Sequence, residues 1–208
     1  MSLIGKLHSG FVYDRRIHVL AEKLSQQLPA NASVLDVGCG DGLIDKLILE
    51  KRPDVSIYGV DVLIRPETHI RVDKFDGASI PFDNGSFDAA LFVDVLHHTE
   101  DPPVLLGEAA RVARQAVVIK DHFEEGWVDR QTLRFMDWVG NAHHGVVLPY
   151  NYWPESRWRE AFAKLGLRMA SVTTNIGLYP SPFNLIFDRR LHFIARLDVG
   201  NSGVRGGQ

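Results

Sequence analysis

Residues 33–48 read SVLDVGCGDGLIDKLI, an acid followed by glycines at alternating positions, Gly38, Gly40 and Gly42. Glycines in such a turn let the backbone approach a ligand closely, and a helix that follows offers free N–H groups. The spacing is G-x-G-x-G, whereas the dinucleotide fingerprint is G-x-G-x-x-G with room for a pyrophosphate. A carboxylate at Asp36 would repel that pyrophosphate but suits a cationic ligand. A second acid, Asp61, closes Tyr58-Gly59-Val60-Asp61, 21 residues after Gly40, the place for a carboxylate that accepts hydrogen bonds from two ribose hydroxyls. A third, Asp76, follows a short strand and could accept a hydrogen bond from an adenine amino group. Each acid also has a structural reading, because Asp at a strand end or in a turn commonly caps local backbone groups.

Histidines form the other set. Ligands in open parallel sheets sit outside the carboxyl ends of the strands, and that edge receives His97 and His98 after the fourth strand and Asp121 and His122 after the fifth. An imidazole, with a pKa near 6.5, suits proton removal from an oxygen or nitrogen acceptor. His122 is the first candidate for such a base and His98 the next, with Asp121 beside them. His143 and His144 reach the same edge if their segment folds back. The structural reading of each is a hydrogen-bonded core histidine. No metal site is expected, even with Asp121 and Glu124 nearby. The pairs His97-His98 and His143-His144 are adjacent, unlike the separated ligands of H-E-x-x-H or Cys/His zinc sites.

The elements that must position these residues follow from hydrophobic periodicity. Phe11–Leu28 has apolar residues at three- and four-residue spacings and predicts a helix stopped by Pro29; its Tyr13, Arg15 and Arg16 would cover the mouth of a site or form a solvated face. Strands are predicted over 33–37, 56–60, 70–72, 87–93 and 116–120. Helices follow the glycine turn and span 102–111, the latter opened by Asp101-Pro102 as cap and first turn. Alternating strands and helices imply a mostly parallel sheet covered on both faces. Residues 121–158 then hold all four tryptophans, Trp127, Trp138, Trp153 and Trp158, and read as an aromatic insertion serving as a substrate lid. Within it 132–139 looks helical and 141–151 a loop. A helix over 154–165 leads to a strand over 168–174. The connection to the last strand, 190–197, is too short for a helical crossover, so those two strands pair antiparallel at the edge. One domain is expected over 1–199 and a disordered tail over 200–208.

With 208 residues, 23 Lys+Arg against 26 Asp+Glu and 45% hydrophobic residues, the composition is that of an ordinary globular domain. The charge balance disfavours nucleic acid as a partner, because phosphate contacts need clustered Lys/Arg. No apolar stretch is long enough to span a bilayer. A lone Cys39 and an N-terminus without a secretory apolar core point to the cytoplasm. The oligomeric state is open between monomer and homodimer.

Together VLDVGCGDG, YGVDV, KFDGASIPFDNGSFDAALFVDVLHH and VVIKD resemble the class I S-adenosylmethionine-dependent methyltransferases. The stretch IPFDNGSFDAALFVDVLHHTEDP is similar to their small-molecule and quinone-biosynthesis (type-11) branch. The resemblance covers roughly residues 30–120 and implies an α/β fold, a Rossmann-like doubly wound sheet of seven strands with an antiparallel last strand. It implies S-adenosyl-L-methionine as cofactor, S-adenosyl-L-homocysteine as product, and a small-molecule acceptor methylated at oxygen or carbon. Carried onto this chain, it sets Asp36, Gly38, Cys39 and Gly40 along the methionine part of the cofactor. Asp61 and Val62 then meet the ribose, and Phe75, Asp76 and Gly77 the adenine. Asp94, Val95 and His97 lie near the transferring methyl. The chain departs from the family before its fifth strand, where Arg111-Val112-Ala113-Arg114-Gln115 replaces a proline-glycine turn. Alternatives are an NAD(P)-dependent oxidoreductase, against which the glycine spacing counts, and a non-catalytic module that binds S-adenosylmethionine.

Overall fold

The structure, a computed structural model, describes residues 3–141 and 150–200, with side chains from Tyr13 onward apart from 137 and 139–141. His143, His144, most of the predicted loop over 141–151 and the tail over 201–208 lie outside the described residues. Seven strands, β1 (Ser33–Val37), β2 (Ser56–Asp61), β3 (Val72–Lys74), β4 (Phe87–Val93), β5 (Ala113–His122), β6 (Leu167–Thr173) and β7 (His192–Val199), form one sheet in the order β3-β2-β1-β4-β5-β7-β6. The first five are parallel, and β7 runs antiparallel to both its neighbours. This is the expected doubly wound sheet. The antiparallel step has the anticipated cause: between β6 and β7 the chain forms only the one-turn helix α6 (Asn184–Phe187), too little to return the chain for a parallel strand.

Two apolar layers cover the sheet. One packs α3 (Pro102–Val112) and α5 (Glu155–Lys164) against Val37, Phe92, Val117, Ile119 and Phe193; the other packs α1 (Leu3–Ser25) and α2 (Leu43–Lys51) against Val34, Leu91 and Val118. Adjacent residues such as Leu91 and Phe92 serve opposite faces because side chains alternate along a strand. Each fully buried Leu or Phe contributes about 1.5–3 kcal/mol relative to exposure.

Several boundaries differ from the sequence reading. Helix α1 ends at Ser25, not Leu28, because the Arg52 guanidinium takes the carbonyls of Ser25, Leu28 and Pro29 at 2.6, 3.3 and 2.9 Å, satisfying acceptors a helix end leaves free. Strand β5 runs to His122 because β7 pairs with it as far as His122↔His192. Asp121 and His122 are therefore sheet residues and the insertion starts after them. Helix α4 (Trp127–Asn141) begins before Thr132. Asp101 makes no side-chain cap; its carbonyl accepts from Val104 N–H at 3.1 Å instead. The tryptophans divide: Trp153 and Trp158 are buried in the core with Phe162 and Phe193, whereas Trp127 and Trp138 are exposed.

Candidate active site

At the carboxyl ends of β1 and β2 the glycine turn is built by contact and backbone conformation. Gly38 has φ +80°, and a Cβ there would lie 2.6 Å from Val95 Cγ2, so only glycine lets the turn approach the end of β4. Gly40 N–H donates to Asp61 Oδ2 at 2.8 Å, and Leu63 N–H to Asp61 Oδ1 at 2.8 Å. Asp61 thus braces the turn while each oxygen keeps a further lone pair. A Cβ on Gly40 would meet nothing within 4 Å, so this side of the turn is open. Beyond β2, Val62, Leu63 and Ile64 are exposed. Val62 adjoins Gly77, where a Cβ would lie 3.0 Å from Val62 Cγ1, and Phe75 is buried nearby. An apolar shelf beside a ribose-type carboxylate suits a purine base.

Asp76 is exposed, and its Oδ1 accepts from Ala78 and Ser79 N–H at 2.8 and 2.7 Å. Those bonds hold its carboxyl below the usual range, so the turn-capping reading of this acid is realised. The Cys39 thiol packs toward Gly59, leaving its backbone to face the turn. Burial, then the charges of Asp36, Asp45 and Asp61, push that thiol well above its ordinary value. Asp36 is buried beneath the turn next to Asp45, a residue missed from sequence although an acid inside the apolar run LIDKLI was the available signal.

The ends of β4 and β5 build the second half. Asp94 sits at φ +59°, a conformation uncommon outside glycine and held by its surroundings. Its N–H donates to Lys120 O at 2.9 Å, and its carboxylate pairs with Lys120 Nζ and Arg16 Nη2. Burial pushes the Asp94 carboxyl up, but Lys120 and Arg16 outweigh it and hold the group well below the usual range. Arg16 thereby brings α1 over this edge. Lys120, fully buried in an apolar strand, was missed; a lysine inside VVIKD was the signal.

Asp121 is buried and accepts from Leu96 N–H at 3.1 Å, His97 Nδ1 at 2.7 Å and His122 N–H at 2.8 Å. Against burial, His97 and then His122 lower its carboxyl. His97 and His122 are also buried, with ring centroids 4.7 Å apart, and His192 lies 4.8 Å beyond His122. Burial, then Lys120, pushes the His122 imidazole down to about 4 despite Asp121. The structure therefore seats the first base candidate inside the sheet edge rather than at its surface. His98 is half-buried beside His97, with centroids 3.9 Å apart.

A sheet of this order, with a G-x-G-x-G turn after β1 and a carboxylate ending β2, defines the class I methyltransferase fold. The chain belongs to the methyltransferase domain family, whose model matches residues 12–172; the methyl donor of this class is S-adenosylmethionine. An uncharacterized methyltransferase of Mycobacterium bovis is 39% identical over 75 residues, 33% of this chain and 38% of that one. A malonyl-[acyl-carrier protein] O-methyltransferase of Acetivibrio thermocellus is 30% identical over 71 residues, 34% of this chain and 25% of that one. The matched stretches thus take in well under half of these relatives. An S-adenosylmethionine-dependent methyltransferase structure from Mesorhizobium loti superposes with TM-score 0.63 at 17% identity, covering 86% of this chain and 97% of that one. Membership of this family decides against the nicotinamide reading. Among the described residues no helix is long and apolar enough to cross a membrane.

Proposed function

We propose that this protein moves a methyl group from S-adenosylmethionine to a small-molecule acceptor, at oxygen or carbon, in the cytoplasm. The observation that carries the donor end is the Asp61 carboxylate fixed against Gly40 N–H at 2.8 Å, beside an open turn and an apolar shelf. Asp36, Gly38, Cys39 and Gly40 would border the methionine part, Asp61 and Val62 the ribose, and Phe75, Asp76 and Gly77 the adenine. When bound, the cofactor supplies an activated sulfonium methyl. The chain's own work is then to hold an acceptor in line at about 3–3.5 Å and to exclude water.

A cavity of about 640 Å³, lined in part by Arg15, Tyr179, Asn184 and Asp188, supports a small acceptor, since such sites typically hold 300–1,000 Å³. Its wall reaches the strand ends through rings: Tyr179 stacks on His192 with centroids 6.1 Å apart, and His192 lies tilted against His122 at 4.8 Å. Asp121 acts as a positioning residue, orienting His97 and the 3-10 turn Leu96–His98 through its hydrogen bonds. His98, nearer the surface than His122, takes the acceptor's proton in this reading, while His122 shapes the acceptor end.

The test is calorimetry with S-adenosylmethionine and NADH on the wild type and on Asp61→Ala, followed by turnover with phenolic, quinone-like and carboxylate acceptors. Micromolar binding of the sulfonium ligand, weakened about tenfold or more by losing charge-assisted hydrogen bonds, is expected. Absence of that binding overturns the proposal, and binding without turnover of any acceptor favours the non-catalytic module.

A further inference from the structure

The two strand ends bring together what linear spacing kept apart. His97, Asp121 and His122 each offer a ligand atom, all within 4.8 Å of one another, and all three residues are buried. His97 Nδ1 lies 2.7 Å and His122 Nδ1 3.4 Å from the same Asp121 oxygen. Ligand atoms about 2.1 Å from a tetrahedral zinc ion stand about 3.4 Å apart, so small side-chain shifts suffice to surround one ion.

His122 carries the argument further. Its Nδ1 is buried and makes no hydrogen bond, while its Nε2 faces Asp94 Oδ1 at 3.7 Å. A ring proton on Nδ1 would point toward Asp121 Oδ1 at 3.4 Å but outside hydrogen-bond geometry, and one on Nε2 leaves Nδ1 with no donor. In either tautomer Nδ1 is poorly satisfied, and a buried polar atom left so costs about 1–3 kcal/mol. A cation between Nδ1 and the Asp121 oxygen gives each of them a bond. Lys120 does not fill this role, because its ammonium is turned to Asp94 and lies 3.3 Å from His192 Nδ1.

We infer that His97, Asp121 and His122 together bind one divalent transition-metal ion. Two imidazoles and one carboxylate favour borderline ions such as zinc or ferrous iron over magnesium or calcium. Ligation through His97 Nδ1 moves that ring's proton to Nε2, so no net proton is released. The backbone N–H groups of Leu96 and His122 hold Asp121 in place as outer partners, the support metal ligands require. Three protein ligands leave a coordination position for an oxygen from outside the chain. Polarisation of an acceptor oxygen there rests on the methyl-transfer reading; the site itself does not.

The experiment uses chelator-stripped full-length protein titrated with Co²⁺, read by visible d–d absorption and calorimetry. One equivalent saturating the wild type is expected, with His122→Ala and His97→Gln each weakening binding by about a hundredfold, since even outer partners are worth 10–100-fold. No Co²⁺ absorption in the wild type overturns the inference, as does unchanged affinity in folded variants. If His122→Ala fails to fold by circular dichroism, His97→Gln and the rise in wild-type Tm with excess Zn²⁺ decide, and absence of that rise overturns it. S-adenosylmethionine calorimetry on the wild type reports separately on the donor site, so failure of one reading is distinct from failure of the other.

Discussion

Asp36 and Asp45 are two buried carboxyls that act on each other beneath the glycine turn. Asp36 Oδ1 and both oxygens of Asp45 are buried with no hydrogen-bond partner among the described residues. Burial, and then the neighbouring acid, raises Asp36 well above the usual carboxylate range, and burial raises Asp45 to about 6. A raised carboxyl means that the folded state binds the extra proton, so this pair's contribution to stability is fully present below about pH 4 and is lost as pH rises through about 6.

Asp45→Asn supplies a permanent donor to Asp36. Urea unfolding of this variant is expected to show higher stability than the wild type at pH 8, by on the order of 2 kcal/mol, and a flatter profile between pH 4 and 7. Equal or lower stability at pH 8 would count against a destabilising pair of raised carboxyls.

Gly38→Ala meets both a positive φ and a steric wall, with the new Cβ 2.6 Å from Val95 Cγ2. A loss of about 1–3 kcal/mol is expected. Adding Val95→Ala removes the wall but not the backbone strain, so thermal unfolding of the double variant should recover only part of the loss. Full recovery would show that φ costs nothing here.

Lys120→Met removes the buried cation that faces Asp94 and leaves Arg16 as its ion-pair partner. Breaking a buried pair on one side typically costs about 3–5 kcal/mol. Because Arg16 still neutralises Asp94 in this variant, adding Asp94→Asn removes the Arg16–Asp94 pair as well and should deepen the loss in urea titrations. Recovery on adding Asp94→Asn would mean that the Arg16–Asp94 pair contributes nothing to stability.

Cys39 is the chain's one cysteine, so alkylation reads it directly. Its thiol, held protonated by burial and three neighbouring carboxyls, should react with iodoacetamide at pH 8 about a hundredfold more slowly folded than in urea, because the thiolate is the nucleophile. Equal rates would place the sulfur outside the packed turn.

The glycine turn and the acid that braces it were legible in the sequence because their parts are local. A strand, a glycine turn and an acid closing the next strand occupy adjacent stretches, and periodicity marks each one. The order of the edge strands was legible for a similar reason, since the residues between β6 and β7 leave no room for a crossover. The polar cluster at the ends of β4 and β5 was not, because its residues meet only through the sheet. Asp121 reaches Leu96 and His97 across the β4–β5 pairing, and Lys120 finds Asp94 and His192 from neighbouring strands. The full reach of β5 depends on β7, a partner some 70 residues away (Lys120 and His192 are separated by 72). Asp94's ion pair with Arg16 likewise needs the packed position of α1.

Phe123 and Trp153 pair as a single parallel bridge, and Glu124 N–H donates to Trp153 O at 3.0 Å. The chain between them leaves the sheet and comes back to the point it left. An excursion stapled at its base tolerates added length: doubling it adds only about 0.6 kcal/mol of closure entropy, and neither the strand order nor the Gly40–Asp61 bond lies within it. Its anchor points, Leu133 and Tyr152 packed on Leu191 and Asn151 N–H donating to His97 O, are what a longer version must keep. Lengthening the excursion between Phe123 and Trp153 should therefore leave the sheet and the Gly40–Asp61 bond unaltered.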